Sequence, residues 1–389
     1  MDLQLQKKID RTVGGALLIC LKPLVMLLGL ILKRDHRLEV KGQISVLKML
    51  GGGSLVIALP ALLGLRRKYP KHKMVMVTTP GIAPFAESLG LFDEILKVDQ
   101  RSILRLIISS LKALMRTFRS DAFLDLEVYS RLSTVFSLLT CSRNRLGFFL
   151  ESVIWRNPIH THLIFFNRNG PIYLFYERMT NLLGARPSTF GECSNHVGKQ
   201  LGLPSVKITD RVALGTGCSD LCRERAFTPE EWVLVFQKKF TRFPALASME
   251  FEFLGSREDF ELASAIEAKL RGEFPKLRIQ NHCGAYTLSE SLRALAASAE
   301  FWGIDSSLLH YARLFGLKIT SFWGPTSPEA LLKPYGLDEE THYRKVPCSP
   351  CVHVAEFPPC KGKNICMKGL LYEISDVEIE TTLPYFLGE

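Results

Sequence analysis

ISVLKMLGGGSLVIALPALLGLRRKYPKHKMVMVTT, residues 44–79, decides the fold. A short β-branched and apolar run (44–50) meets three glycines. An apolar helix-forming stretch follows, then a second short apolar run (74–79). Strand, turn, helix and strand of this length are the signature of a parallel β-α-β crossover. The rhythm continues in both directions of reading. GIAPFAESLG reads as a helix, EILKVD as a strand, 101–119 as a long helix, AFLDLE (122–127) as a strand and 130–140 as a helix. Residues 150–210 are less regular, and a linker is expected near 203–210. The pattern then restarts. RVALG (211–215), MEFEFLG (249–255), KLRIQNH (276–282), AEFWGID (299–305) and KITSFWG (318–324) read as strands with amphipathic helices between them. The expected class is α/β: two doubly wound halves, each a parallel sheet covered by helices on both faces.

The 389 residues carry 49 Lys+Arg against 39 Asp+Glu, a net charge of +10. The excess lies in residues 1–200, where 28 basic face 14 acidic residues; the remainder is slightly acidic. Such polarity points to an anionic partner: a membrane surface, a phosphorylated substrate or nucleic acid. Nucleic acid would require exposed aromatics interleaved with a basic stripe, and none is visible. On the helix at 101–119, Arg101, Arg105, Lys112, Arg116 and Arg119 fall within an arc of roughly 60°, with no acid on that helix. Val13–Leu32 is a continuous apolar stretch interrupted only by Lys22 and Pro23. It is long enough to span a bilayer. The central Lys-Pro pair favours a kinked helix in the interface over a true span, with a buried core helix as the third option.

In doubly wound sheets ligands bind outside the carboxyl ends of the strands, so residues there are the candidates. Gly51, Gly52, Gly53 and Ser54 form the first strand-to-helix turn, which suits close approach of an anion. Asp125 and Glu127 share one side of the AFLDLE strand end. Paired carboxylates raise one another's proton affinity and suit general-base work, while the plain alternative is a solvated strand end. In the second half, Thr216 and Gly217 follow one strand, Gly255 and Gly284 follow two others, and Arg225 offers a guanidinium to a pyrophosphate. GIDSS (303–307) ends another strand. Asp305 there can accept sugar hydroxyls, and the amides of Ser306, Ser307 and Leu308 can hold phosphate. Helix capping is the plain alternative for each.

Several blocks together resemble glycosyltransferase family 9, the bacterial lipopolysaccharide heptosyltransferases. They are LGGGSLVIALPALLGLRRKYP (50–70), ALGTGCSDLCRERAFTPEEW (213–232), FLGSREDFELASAIEAKL (253–270), NHCGAYTLSESLRALAASAEF (281–301), WGIDSSLLHYA (302–312) and KITSFWGPTSPEALLKPYG (318–336). The likeness spans about 44–380. It implies a GT-B fold of two Rossmann-like domains with the site between them. It also implies an inverting, metal-independent transfer from a nucleotide-sugar, ADP-heptose first among candidates. By the resemblance, Asp305, Ser306, Ser307, Leu308 and His310 match the donor-binding block. Arg225 stands at a phosphate-binding lysine, and Thr216, Gly217, Gly255 and Gly284 line the same crevice. Two positions depart. Ser307 replaces a usual glycine, and Ser54 stands where characterised members place an aspartate proposed as the base. A serine hydroxyl cannot take that proton unaided, so Glu127, supported by Asp125, is the expected replacement.

The expected organisation is a membrane-associated helix at 1–40, an acceptor domain at 41–206 and a donor domain at 207–389. The acceptor would be an anionic lipid-linked saccharide at the cytoplasmic face of the bacterial inner membrane, in core or O-antigen synthesis. The alternative is a relative that binds glycans or nucleotide-sugars without transferring them. Cys348, Cys351, Cys360 and Cys366, in the Cys-rich segment 348–367, have the count for a tetrahedral zinc. Free packed thiols or disulfides are the other readings of that spacing.

Overall fold

The computed structural model describes residues 3–33, 35–203, 208–218, 222–352, 358–360 and 362–374. The chain divides into two compact units, Met1–Cys193 and Ser194–Glu389. The expected linker falls partly on 204–207, outside the described residues.

The first unit holds β1 (Ile44–Leu47), β2 (Met74–Thr78), β3 (Glu94–Lys97), β4 (Ala122–Asp125), β5 (Asn144–Phe149) and β6 (His162–Phe165). They pair in parallel in the order β3-β2-β1-β4-β5-β6. The direction of winding reverses between β1 and β4, which makes their carboxyl ends the topological switch point. The helices are α1 (Leu3–Ile9), α2 (Gly15–Leu32), α3 (Gly52–Lys68), α4 (Ala83–Leu89), α5 (Ile103–Thr117), α6 (Arg131–Leu139) and α7 (Ile172–Asn181). The division between the units falls within α8 (Phe190–Leu201). Leu106 and Ala113 of α5 and Phe136 of α6 pack in one cluster with Leu47, Val75, Val77, Leu96 and Phe123. These two helices therefore cover the same face of the sheet.

The apolar N-terminal segment belongs to this unit's packing. α1 passes through a π-helical turn at Asp10–Gly14 into α2, which continues helical through Pro23. Asp10 accepts hydrogen bonds from the Ser130 hydroxyl (2.7 Å) and from the Arg131 and Leu132 amides (3.0 and 2.9 Å), so it caps the N-terminus of α6. Gly14 lies so close to Arg131 that a Cβ would sit 2.7 Å from its side chain. Leu18 then packs with Val135 and Ile159. Leu24, Met26–Leu28, Leu30 and Ile31 are exposed. The helical stretch Leu5–Ile31 is long and apolar enough to cross a bilayer.

The second unit repeats the plan with β7 (Ile208–Gly215), β8 (Glu250–Phe253), β9 (Arg278–Asn281), β10 (Ser298–Ile304), β11 (Lys318–Trp323) and β12 (Glu339–Tyr343). Their order is β12-β11-β10-β7-β8-β9, again all parallel. Counted along the chain this is the same order as in the first sheet, with its switch point between β7 and β10. Its helices are α9 (Pro229–Arg242), α10 (Phe260–Glu273), α11 (Leu288–Ala297), α12 (Ser307–Leu314), α13 (Pro328–Leu331) and α14 (Ile365–Lys368). Trp232, Phe236, Phe251 and Trp302 are buried in its core, where Phe236 and Phe251 each meet Trp302 edge-to-face. β5, β6 and β12 extend both sheets beyond the strands expected from the sequence.

Candidate active site

At the first switch point, Leu47 of β1 lies beside Asp125 of β4, and both strands run out into polar residues. Gly51 has φ +79°, a left-handed conformation that glycine adopts without penalty. It turns the chain into α3, whose first turn carries Ser54. The Ser54 hydroxyl is hydrogen-bonded to buried Tyr176, and burial pushes that phenol up.

Glu127 folds back onto the loop after β1. Its Oε1 accepts from the amides of Met49 (2.7 Å) and Leu50 (3.1 Å) and from Lys48 Nζ (3.2 Å). Burial pulls the Lys48 ammonium down, but Glu127, Tyr176 and Asp125 together outweigh it and hold the lysine above its usual value. Among the described residues, no hydrogen bond reaches Glu127 Oε2.

Asp125 departs from the sequence expectation. Its side chain is 0% exposed and meets Arg156 at 3.3 Å and His160 at 3.4 Å, both also wholly buried. The Ser133 hydroxyl donates to Oδ2 (2.9 Å), and the Glu127 amide donates to Oδ1 (3.0 Å). The two carboxylates were expected to raise each other's proton affinity. Burial does push Asp125 up, but Arg156 and His160 more than offset it and leave its carboxyl below the usual range. Asp125 is thus an ionised anchor that fixes the backbone of Glu127, not a partner in proton exchange.

The second switch point is built from β7 and β10, with Gly215 beside Gly303. Thr216 is buried. A Cβ on Gly217 would lie 2.0 Å from Asp259 Oδ1, so any side chain there would force Asp259 to shift. The Gly284 amide donates to the Gly255 carbonyl (3.1 Å), tying the loops after β8 and β9 together.

Asp305 directly follows β10 and was expected to meet sugar hydroxyls. Instead it is buried and already engaged. Arg225 Nη1 donates to its carbonyl (2.9 Å) and to Oδ2 (3.2 Å), while His310 Nε2 lies 3.6 Å from Oδ1. Burial pushes Asp305 up, but His310 and Arg225 dominate and hold it far below the carboxylate range. Asp305 therefore positions a guanidinium and an imidazole beside the start of α12. Ser306 immediately precedes α12, and its buried hydroxyl has no hydrogen-bond partner among the described residues. Ser307 and Leu308 form the first turn, whose amides have no intrahelical acceptor. A cation and a helix N-terminus side by side form an anion site.

The candidate residues thus gather in two groups, one in each unit. The sequence singled out Ser54, Asp125, Glu127, Arg225, Asp305 and His310 as candidates, but not Lys48, Tyr176, Arg156, His160 and Asp259, which the structure packs against candidate residues. Lys48 left one signal, a lone cation inside the apolar run ISVLKML. Arg156 and His160 left none, because a fold contact joins them to β4 from 31 and 35 positions away.

All four C-terminal cysteines are free. Among the described residues, no three His, Cys, Asp or Glu side chains are grouped as metal ligands. Cys360 and Cys366 belong to the apolar core, and burial pushes the Cys351 and Cys366 thiols up to about 12. Without a bound ion, Cys351 and Cys366 are thus protonated thiols.

No family model matches this sequence, and no curated protein matches it. Solved structures do. A family 9 glycosyltransferase from Veillonella parvula matches with 16% identity over 78% of this chain and 86% of that one, at TM-score 0.59. The Escherichia coli ADP-heptose lipopolysaccharide heptosyltransferase II matches with 15% identity over 85% and 98%, at TM-score 0.58. The dodecameric iron-containing heptosyltransferase TibC, in complex with ADP-D-β-D-heptose, matches with 10% identity over 90% and 77%, at TM-score 0.51. With two parallel sheets of one winding order and these neighbours, the chain has the GT-B-like fold of the family 9 glycosyltransferases and lipopolysaccharide heptosyltransferases.

Proposed function

We propose that this protein transfers a glycosyl group, a heptose or related sugar, from a nucleotide-sugar to a saccharide hydroxyl with inversion at the anomeric carbon. The observation that carries this reading is the Arg225–Asp305–His310 group at the N-terminus of α12. The diphosphate of the donor is the anion such a site takes. ADP-heptose is the first candidate, because the neighbours with this fold include an ADP-heptose transferase and a complex with that donor.

The acceptor oxygen attacks the anomeric carbon as the bond from that carbon to the phosphate oxygen breaks. The nucleoside diphosphate leaves with the bonding electrons. Arg225 and the first amides of α12 offset its charge, and that stabilisation grows as the bond breaks. The acceptor proton passes to Glu127 Oε2, since Oε1 is committed to the loop after β1. The reaction as written needs no metal. The N-terminal apolar helix anchors the enzyme at the cytoplasmic face of the bacterial inner membrane. A lipid-linked saccharide of lipopolysaccharide core or O-antigen is the acceptor.

A second reading, a donor-binding relative that no longer transfers, draws on Ser54, which is hydrogen-bonded to Tyr176 and cannot act as a base. A thermal-shift panel of nucleotide-sugars, followed by transfer to truncated core saccharides, separates the two. A cognate donor at 100 times its Kd should stabilise the fold by about 2.7 kcal/mol, and Arg225→Met should remove that shift. Stabilisation without transfer to any core acceptor supports the second reading. No shift with any nucleotide-sugar overturns both.

A further inference from the structure

On α5, the sequence drew attention to the basic arc; the structure draws it to the other side. Ile103, Leu104, Ile107, Ile108, Leu111, Met115 and Phe118 are 51–72% exposed. Only Ala113 and Thr117 of this helix are buried. At about 100° per residue these seven side chains fill an arc of roughly 140°. Arg101, Arg105, Lys112, Arg116 and Arg119 occupy the adjoining arc. A surface helix normally turns such a stripe toward the core. Here the stripe faces outward, and nothing in the described residues covers it.

The charges fit one class of partner. Asp99 pairs with Arg101 and Arg105, and Glu94 pairs with Arg116. Lys112 and Arg119 make no ion pair among the described residues. The stripe is thus flanked by an excess of cations and by no acid of its own helix. An apolar arc beside a cationic arc is the composition of a helix lying in the headgroup plane of an anionic bilayer. Placement agrees. α5 and α6 cover one face of the sheet, and the N-terminal apolar helix is fastened to α6 through Asp10, Gly14 and Leu18. Two lipid-seeking surfaces therefore share one layer of the first unit.

We propose that α5 is a second membrane contact, inserting its outer apolar stripe into anionic lipid while Lys112 and the neighbouring arginines meet lipid phosphates. This goes beyond an anchor at the N-terminus and does not depend on the transferase reading. It predicts that this unit is held against the bilayer at two places, not tethered by one helix.

The full-length protein tests it. Leu111→Trp places a reporter in the stripe, and the four native tryptophans of the wild type supply the baseline. With vesicles of brominated phosphatidylglycerol, the added emission should shift to the blue and be quenched at least twofold. In brominated phosphatidylcholine or high salt it should be quenched markedly less. Ile108→Trp should repeat the result if Leu111→Trp folds poorly. The proposal is overturned if the protein sediments with vesicles while the added emission is unquenched. Equal quenching in neutral lipid overturns it too, as does a lipid-free dimer that buries the reporter.

Discussion

Both sheets are wound in the same order, and both place charged side chains at the switch point, yet they use them differently. In the first unit the charges are sealed inside. Asp125, Arg156 and His160 are wholly buried and face one another, and only Glu127 leads from that web toward the strand end. In the second unit Arg225, Asp305 and His310 form a smaller group directly beside an open helix N-terminus. The first arrangement suits holding one carboxylate in a fixed place. The second suits receiving an anion. A shared topology fixes where a site can lie; which charges are spent on support and which face a ligand depends on burial.

The sharpest way to break this comparison is Glu127→Gln. The amide keeps an oxygen for Met49 and Leu50, so the fold and donor-induced thermal shift should remain while turnover falls about 10²–10⁴-fold. Near-wild-type turnover would remove Glu127 from the proton transfer. Asp125→Ala should instead act on the fold. It strands the buried Arg156 charge, whose Nε and Nη1 have no hydrogen-bond partner among the described residues, at a cost of about 3–5 kcal/mol in denaturant unfolding. If it costs no more than a surface substitution, the sealed web is not a support.

Acid should act in the same place. Burial, more than its neighbours can offset, holds His160 below its usual value, and Asp125 is also depressed. Both unfolded forms bind protons more readily than the folded ones, so stability is full above about pH 6.5. It should decline below that as the His160 contribution is lost, by at most about 1.4 kcal/mol per pH unit for one proton. It should decline again below about pH 4 as that of Asp125 goes. His160→Gln should flatten the first step in urea unfolding followed from pH 8 to 4. The smallest effect is expected from Asp10→Ala, which uncaps α6 and should cost about 1 kcal/mol; an unchanged midpoint in the same unfolding assay would mean that the cap is idle.

The sequence made most of the fold legible because buried parallel strands are continuous apolar runs. β5 was hidden by its start, Asn144 and Arg145, which are polar yet buried. β12 was hidden because EETHY is a charged edge strand without apolar alternation. Candidate residues could be singled out where they lie just past strand ends, as with Glu127 after β4 and Asp305 after β10. Partners that meet only through the fold were not legible. Asp125 and Asp305 therefore looked like open carboxylates until their buried partners were in view. α5 shows the same limit, since a helical wheel separates two faces without saying which one the protein covers.

The Asp10 cap has a consequence for the order of events during synthesis. Asp10 and the Ser130 hydroxyl that donates to it are 120 positions apart. At about 5–20 residues per second the apolar helix waits roughly 6–24 s before α6 has been made. In that interval Leu18 and the exposed leucines behind it have no protein surface to cover them, and lipid or a chaperone must do so. The first unit is then completed on a segment already under that cover, so finding cover for the apolar helix and closing the first unit are successive steps of one folding event.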